Sequence, residues 1–143
     1  RSLDTLRKPL IGRVNGPAYG GGVGLISVCD YTIGIEGSKF GLTEVRMGLL
    51  PSNISPYVVA KIGAAAARET MLSGALFDSA RAERLGLLTE VVAAEALAAR
   101  DVEHAGLVEA HADIDALLLP DIERGEARAQ AEVGRAVVAD MRA

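Results

Sequence analysis

Three consecutive glycines, Gly20, Gly21 and Gly22, stand between a strand-like apolar run over residues 10–14 and an apolar, helix-like run over residues 23–29. Glycine lets the backbone take positive φ and lets another group come close to it. Where a strand turns into a helix, the first N–H groups of the helix lack carbonyl partners, and the helix dipole adds positive potential there. Such a turn suits an anion, or an oxygen that is becoming one, held by main-chain donors. The same triplet can also serve only to pack a helix close to a sheet, so it does not decide alone. Spacing removes two nucleotide motifs: neither G-x-G-x-x-G nor G-x-x-x-x-G-K-[ST] occurs.

The residues around the triplet set its context. Residues 10–14 and 31–35 read as strands, and 22–29 as a helix apolar on all sides. Strand, short helix, strand is a βαβ-like unit, which implies an α/β fold with a helix-covered sheet. Glu44, Val45 and Arg46 form a short helical piece leading to Gly48 and Pro51. Ser55 is expected to cap a helix with Pro56 at its first position and Gly63 at its end. An alanine-rich helix over 64–73 closes at Gly74, and Asp78-Ser79 caps another that ends at Gly86. Residues 87–92 are extended, and from Ala93 onward the pattern is helical, with a break at 119–121. The expected division is a core over 1–92 and a helical region over 93–143, a possible oligomer contact.

Composition narrows the function. The chain has 143 residues, half of them hydrophobic, a net charge of −4 and no tryptophan. With no basic run and few aromatics, nucleic acid is not an expected partner. The lone cysteine, Cys29, rules out an internal disulfide and any multi-cysteine metal site; it reads as a small buried hydrophobe. No apolar run reaches the ~18 residues of a membrane helix, and no signal peptide opens the chain, so no membrane is expected and the cytoplasm is the expected location. His104 and His111, seven apart on a helical pattern, make a weak metal site, and none is expected.

The order of these features resembles the enoyl-CoA hydratase/isomerase (crotonase) superfamily. The resemblance runs from Lys8-Pro9-Leu10-Ile11 through Val14-Asn15-Gly16, Gly20-Gly21-Gly22, Cys29-Asp30 and Phe40-Gly41. It continues in Glu44, Gly48, Pro51, Leu72-Ser73-Gly74, and Ala80 with Gly86-Leu87. It implies the ClpP/crotonase fold class, here a partial domain similar to the carboxy-terminal half of the family chain. It also implies an acyl-CoA thioester as substrate, CoA entering with the substrate and no separate cofactor, and a homo-oligomer, a trimer or hexamer.

The resemblance assigns roles residue by residue. Gly21 matches a backbone donor to the oxyanion of an enolate-like intermediate, the kind of group whose loss costs about 10²–10³ in rate. A second donor would lie before Arg1. Glu44 matches the carboxylate that moves protons at the α-carbon; its neighbours Leu42, Val45, Met47 and Leu49 are apolar, as partial burial requires. Read without the resemblance, Glu44 is a solvated helix glutamate or a partner of Arg46. Gly20, Gly22, Gly24 and Pro51 are expected to bind substrate. Gly24 stands where many hydratases of the family carry a second glutamate, and is expected to leave room for a bulkier or polar acyl group, or for a residue supplied by the other half of the family chain. With 48–59 it resembles the branch acting on carboxylated enoyl-CoAs such as methylglutaconyl-CoA. Hydration of a 2-enoyl-CoA is the leading expectation. Single-carboxylate isomerisation and a non-catalytic, truncated chain are the alternatives.

Overall fold

The computed structural model describes residues 9–100 and 111–113. Its main sheet is built from β1 (Ile11–Val14), β3 (Tyr31–Ile35), β6 (Glu90–Val92) and β7 (His111–Asp113), in the order β6-β3-β1-β7. All its pairings are parallel, Ile11 standing opposite Tyr31 and Val14 opposite Gly34. A second sheet, in the order β2-β4-β5, joins β2 (Ala18–Tyr19), β4 (Lys39–Gly41) and β5 (Phe77–Asp78). Between β2 and β3 lies α1 (Gly21–Ser27), so the expected βαβ-like unit is present, with two residues of the second sheet inserted.

α1 is short and almost wholly apolar because it is enclosed: Val23 and Ile26 are fully buried beside Val14, Phe40 and Val58. Burying such side chains stabilises a fold by about 1.5–3 kcal/mol each. The rings of Phe40 and Phe77 tie β4 to β5 at a centroid distance of 6.1 Å. Thr32, buried completely, is satisfied by the segment before β6: its hydroxyl donates to the Leu87 carbonyl at 2.9 Å and accepts from the Thr89 N–H at 3.0 Å.

After a 3₁₀ turn at Glu44–Met47 come α2 (Ser55–Ile62), α3 (Ala64–Ser73) and α4 (Ser79–Arg84). α2 and α3 meet at Gly63 and α3 ends at Gly74, as expected. Asp78 caps α4 by accepting the Arg81 N–H at 2.8 Å. Ser55, in contrast, is not a cap. It is the first residue of α2, Ile54 precedes it in the cap position, and the Ser55 hydroxyl donates to the Ser52 carbonyl at 3.4 Å. The expectation of helix throughout 93–143 also fails at β7, which pairs along β1 and brings a segment from beyond Val92 into the main sheet. Parallel pairing joins segments distant in sequence, and helical periodicity does not report it. The helix expected over 122–141 lies outside the described residues, as does His104.

Candidate active site

The glycine turn is held by a backbone conformation that side chains rarely adopt. Gly20 has φ 50° and ψ −114°, and its N–H donates to the Gly41 carbonyl at 2.9 Å, tying the turn to the end of β4. Gly21 then opens α1, where its N–H has no carbonyl one turn earlier in the helix to bond. A carbon branching from Gly20 would stand 3.1 Å from Oε1 of Glu44, so the absence of a side chain is what lets this carboxylate approach the turn.

Glu44 reaches that position because it begins the 3₁₀ turn directly after β4, and the Gly48 conformation, φ 71°, closes the turn. Its Oε2 is buried and has no hydrogen-bond partner. Nor does Glu44 pair with Arg46 among the described residues, which removes the surface ion-pair reading. Leaving a buried acceptor unpaired costs about 1–3 kcal/mol, and functional groups account for many such exceptions in native proteins.

Gly21 and Glu44 line one open cavity of about 210 Å³ together with Leu49, Leu50, Pro51, Ser52, Asn53 and Ile54. The cavity thus brings together a backbone turn, a carboxylate and a largely apolar wall. Among the other expected substrate contacts, Pro51 lines the cavity, whereas Gly20 and Gly22 are not among the residues lining it. The room expected at Gly24 is taken: a carbon branching from Gly24 would come within 2.4 Å of Cγ2 of Ile54. Packing of the 51–54 turn onto α1, invisible to a motif, fills that space. Ile54 itself carried no sequence signal beyond its apolar character.

A larger cleft of about 520 Å³ lies between the β3–β4 turn and α4, bordered by Glu36, Lys39, Asp78 and Ser79. Two of its polar side chains, Asp78 and Ser79, are already engaged. Asp78 caps α4, an N–H contact from Arg81 that holds its carboxyl below the usual value, with Lys39 nearby adding to the effect. The Ser79 hydroxyl donates to the Ile35 carbonyl at 2.7 Å. Volume alone therefore does not mark this cleft as the reactive site.

Cys29 and Asp30, next to α1, have structural work. Burial pushes the Cys29 thiol up to about 12, although Lys61 beside it acts in the opposite direction. The Lys61 ammonium donates to the Cys29 carbonyl at 2.7 Å, anchoring α2 to the end of α1, and its own burial lowers its pKa. Asp30 accepts the Leu10 N–H at 2.7 Å and so fastens the start of β3 to that of β1. No group of three metal-ligating side chains occurs among the described residues, and His111 lies on a strand rather than on the expected helix. No described helix is long and apolar enough to cross a membrane.

A family model for enoyl-CoA hydratase/isomerase matches residues 1–133. The chain belongs to this family. A probable enoyl-CoA hydratase of Rhizobium meliloti is 41% identical over 92 residues, which are 64% of this chain and 36% of that protein. A probable enoyl-CoA hydratase of Mycobacterium tuberculosis is 41% identical over 96 residues, 66% of this chain and 37% of the relative. An enoyl-CoA hydratase structure from Shewanella pealeana aligns with TM-score 0.70 and 30% identity, covering 98% of this chain and 54% of that one. A hydratase/isomerase (crotonase) structure from Legionella pneumophila gives TM-score 0.73 at 30% identity over 97% of this chain and 56% of its own. The fold is accordingly crotonase-like and mixed α/β. The matches cover little more than a third of these curated relatives and about half of these solved chains.

Proposed function

We propose that this chain carries the acid–base half of an enoyl-CoA hydratase site, adding water across the C2=C3 bond of a 2-enoyl-CoA thioester. The observation that carries this reading is the buried, unpartnered Glu44 Oε2 in the same cavity as the first residue of α1. In the proposed step Glu44 takes a proton from water as the oxygen bonds to C3. The C2=C3 electrons move toward the thioester, whose oxygen gains negative charge and accepts the Gly21 N–H. Glu44 then gives the proton to C2, restoring the carbonyl and its own carboxylate. One water is consumed, and no redox or metal step is needed. CoA enters and leaves with the acyl group. The exposed polar pair Ser52 and Asn53 at the cavity rim supports a branched or carboxylated acyl end.

A second reading rests on the occupied space above Gly24. With Ile54 there, Glu44 is the one carboxylate lining this cavity among the described residues, which is enough for an isomerase. Glu44 would then take a proton from C2 of a 3-enoyl thioester and return one at C4. Product mass separates the two: hydration of a 2-enoyl-CoA yields a thioester heavier by one water, whereas isomerisation of a 3-enoyl-CoA leaves the mass unchanged and creates conjugation. Formation of neither product from either substrate, with Glu44 intact, would favour a non-catalytic chain. The exposure of Leu50 at 84% and Leu72 at 71% supports assembly as a homo-oligomer, with a trimer or hexamer as the family resemblance implies.

A further inference from the structure

We infer that Ile54 is the specificity-determining residue of this cavity, setting how long an acyl chain fits beside Glu44; the inference rests on the acyl-CoA reading above. Ile54 borders the cavity while its Cγ2 occupies the place a side chain on Gly24 would take. It therefore forms part of the cavity wall and covers the bare backbone of α1. Its position is fixed from the main chain. The Ile54 N–H donates to the Pro51 carbonyl at 3.2 Å and its carbonyl accepts the Val58 N–H at 3.0 Å, so the residue closes one turn and starts α2. The side chain is partly buried and packs against the main core.

The chemistry follows from what lies behind it. Shortening Ile54 uncovers Gly24, which has no side chain to refill the space, so the cavity deepens toward α1 instead of collapsing onto a neighbour. The extra depth is apolar and about two to three carbons long, enough to bury two further methylenes of an acyl chain. With Ile54 present, the wall admits short acyl groups and rejects their longer homologues. A hydrophobic wall of this kind discriminates by roughly ten- to two-hundredfold per misfit group.

The test is the affinity of the 143-residue chain for butyryl-CoA, octanoyl-CoA and free CoA, measured by calorimetry for wild type, Ile54→Val and Ile54→Ala. The expected result is a preference of wild type for butyryl-CoA that Ile54→Ala moves toward octanoyl-CoA by about tenfold, with Ile54→Val between them. Affinity for free CoA should stay within twofold in all three, a pattern that general loosening of the fold would not produce. Ile54→Val keeps the contact over Gly24 and guards against a variant that fails to fold. Wild type that binds thioesters, with the same length preference in every variant, overturns the inference alone. Wild type that binds no thioester overturns the acyl-CoA reading and the inference with it.

Discussion

Glu44 is a carboxylate whose surroundings suit chemistry better than stability. Because Oε2 is buried and unpartnered, Glu44→Gln should leave thermal stability unchanged or slightly raised, as scanning calorimetry can check. A melting temperature several degrees lower would show instead that the carboxylate holds the turn together. Gly24 makes the opposite case. Alanine normally gains about 1 kcal/mol over glycine inside a helix, but overpacking costs about 1–3 kcal/mol. With the added carbon 2.4 Å from Ile54, overpacking wins. Gly24→Ala should therefore destabilise the chain in urea titration, and Ile54→Ala in the same background should recover part of the loss. Cys29, buried and with its thiol raised to about 12, should resist alkylation at pH 8 in the folded chain and react readily once denatured.

At the scale of elements, α4 offers a pH test. The Arg81 N–H holds the Asp78 carboxyl below its ordinary 3.8, so the cap's contribution is present above that value and is lost as pH falls through the lowered one. Melting curves of wild type and Asp78→Ala should differ at neutral pH and converge in acid; a constant gap would mean the cap acts through something other than charge. This cap was legible because an Asp-Ser pair before a helical run is a local signal, and so were the glycine ends of α2 and α3. Ser55 misled because Pro51 already begins a hydrogen-bonded turn, which shifts the cap to Ile54. β7 was hidden for a different reason: a three-residue edge strand has too few positions to show alternation, and its partner β1 lies about a hundred residues away. In the site, the motif order pointed to Gly21 and Glu44, but the filling of the Gly24 space by Ile54 is a packing fact that no spacing encodes.

For the molecule as a whole, family membership and the partial span of the relatives' length bear on activity together. If the described chain supplies one of two oxyanion donors, its turnover alone should lie about 10²–10³ below that of a site with both. Robust hydration by the 143 residues alone would contradict that division. The trimer or hexamer proposed from the family resemblance is checked by sedimentation, and a monomer at every concentration would count against it. The central claim, that Glu44 moves protons at the carbon beside a thioester bound at the Gly21 turn, does not require full turnover to be tested. Exchange of the α-protons of butyryl-CoA into deuterium oxide, followed by NMR, reads that step directly. The account predicts exchange above buffer with wild type and a loss of at least about 10² with Glu44→Gln, thioester binding being retained. Equal exchange by both proteins, or none by wild type while the thioester is bound, would contradict it.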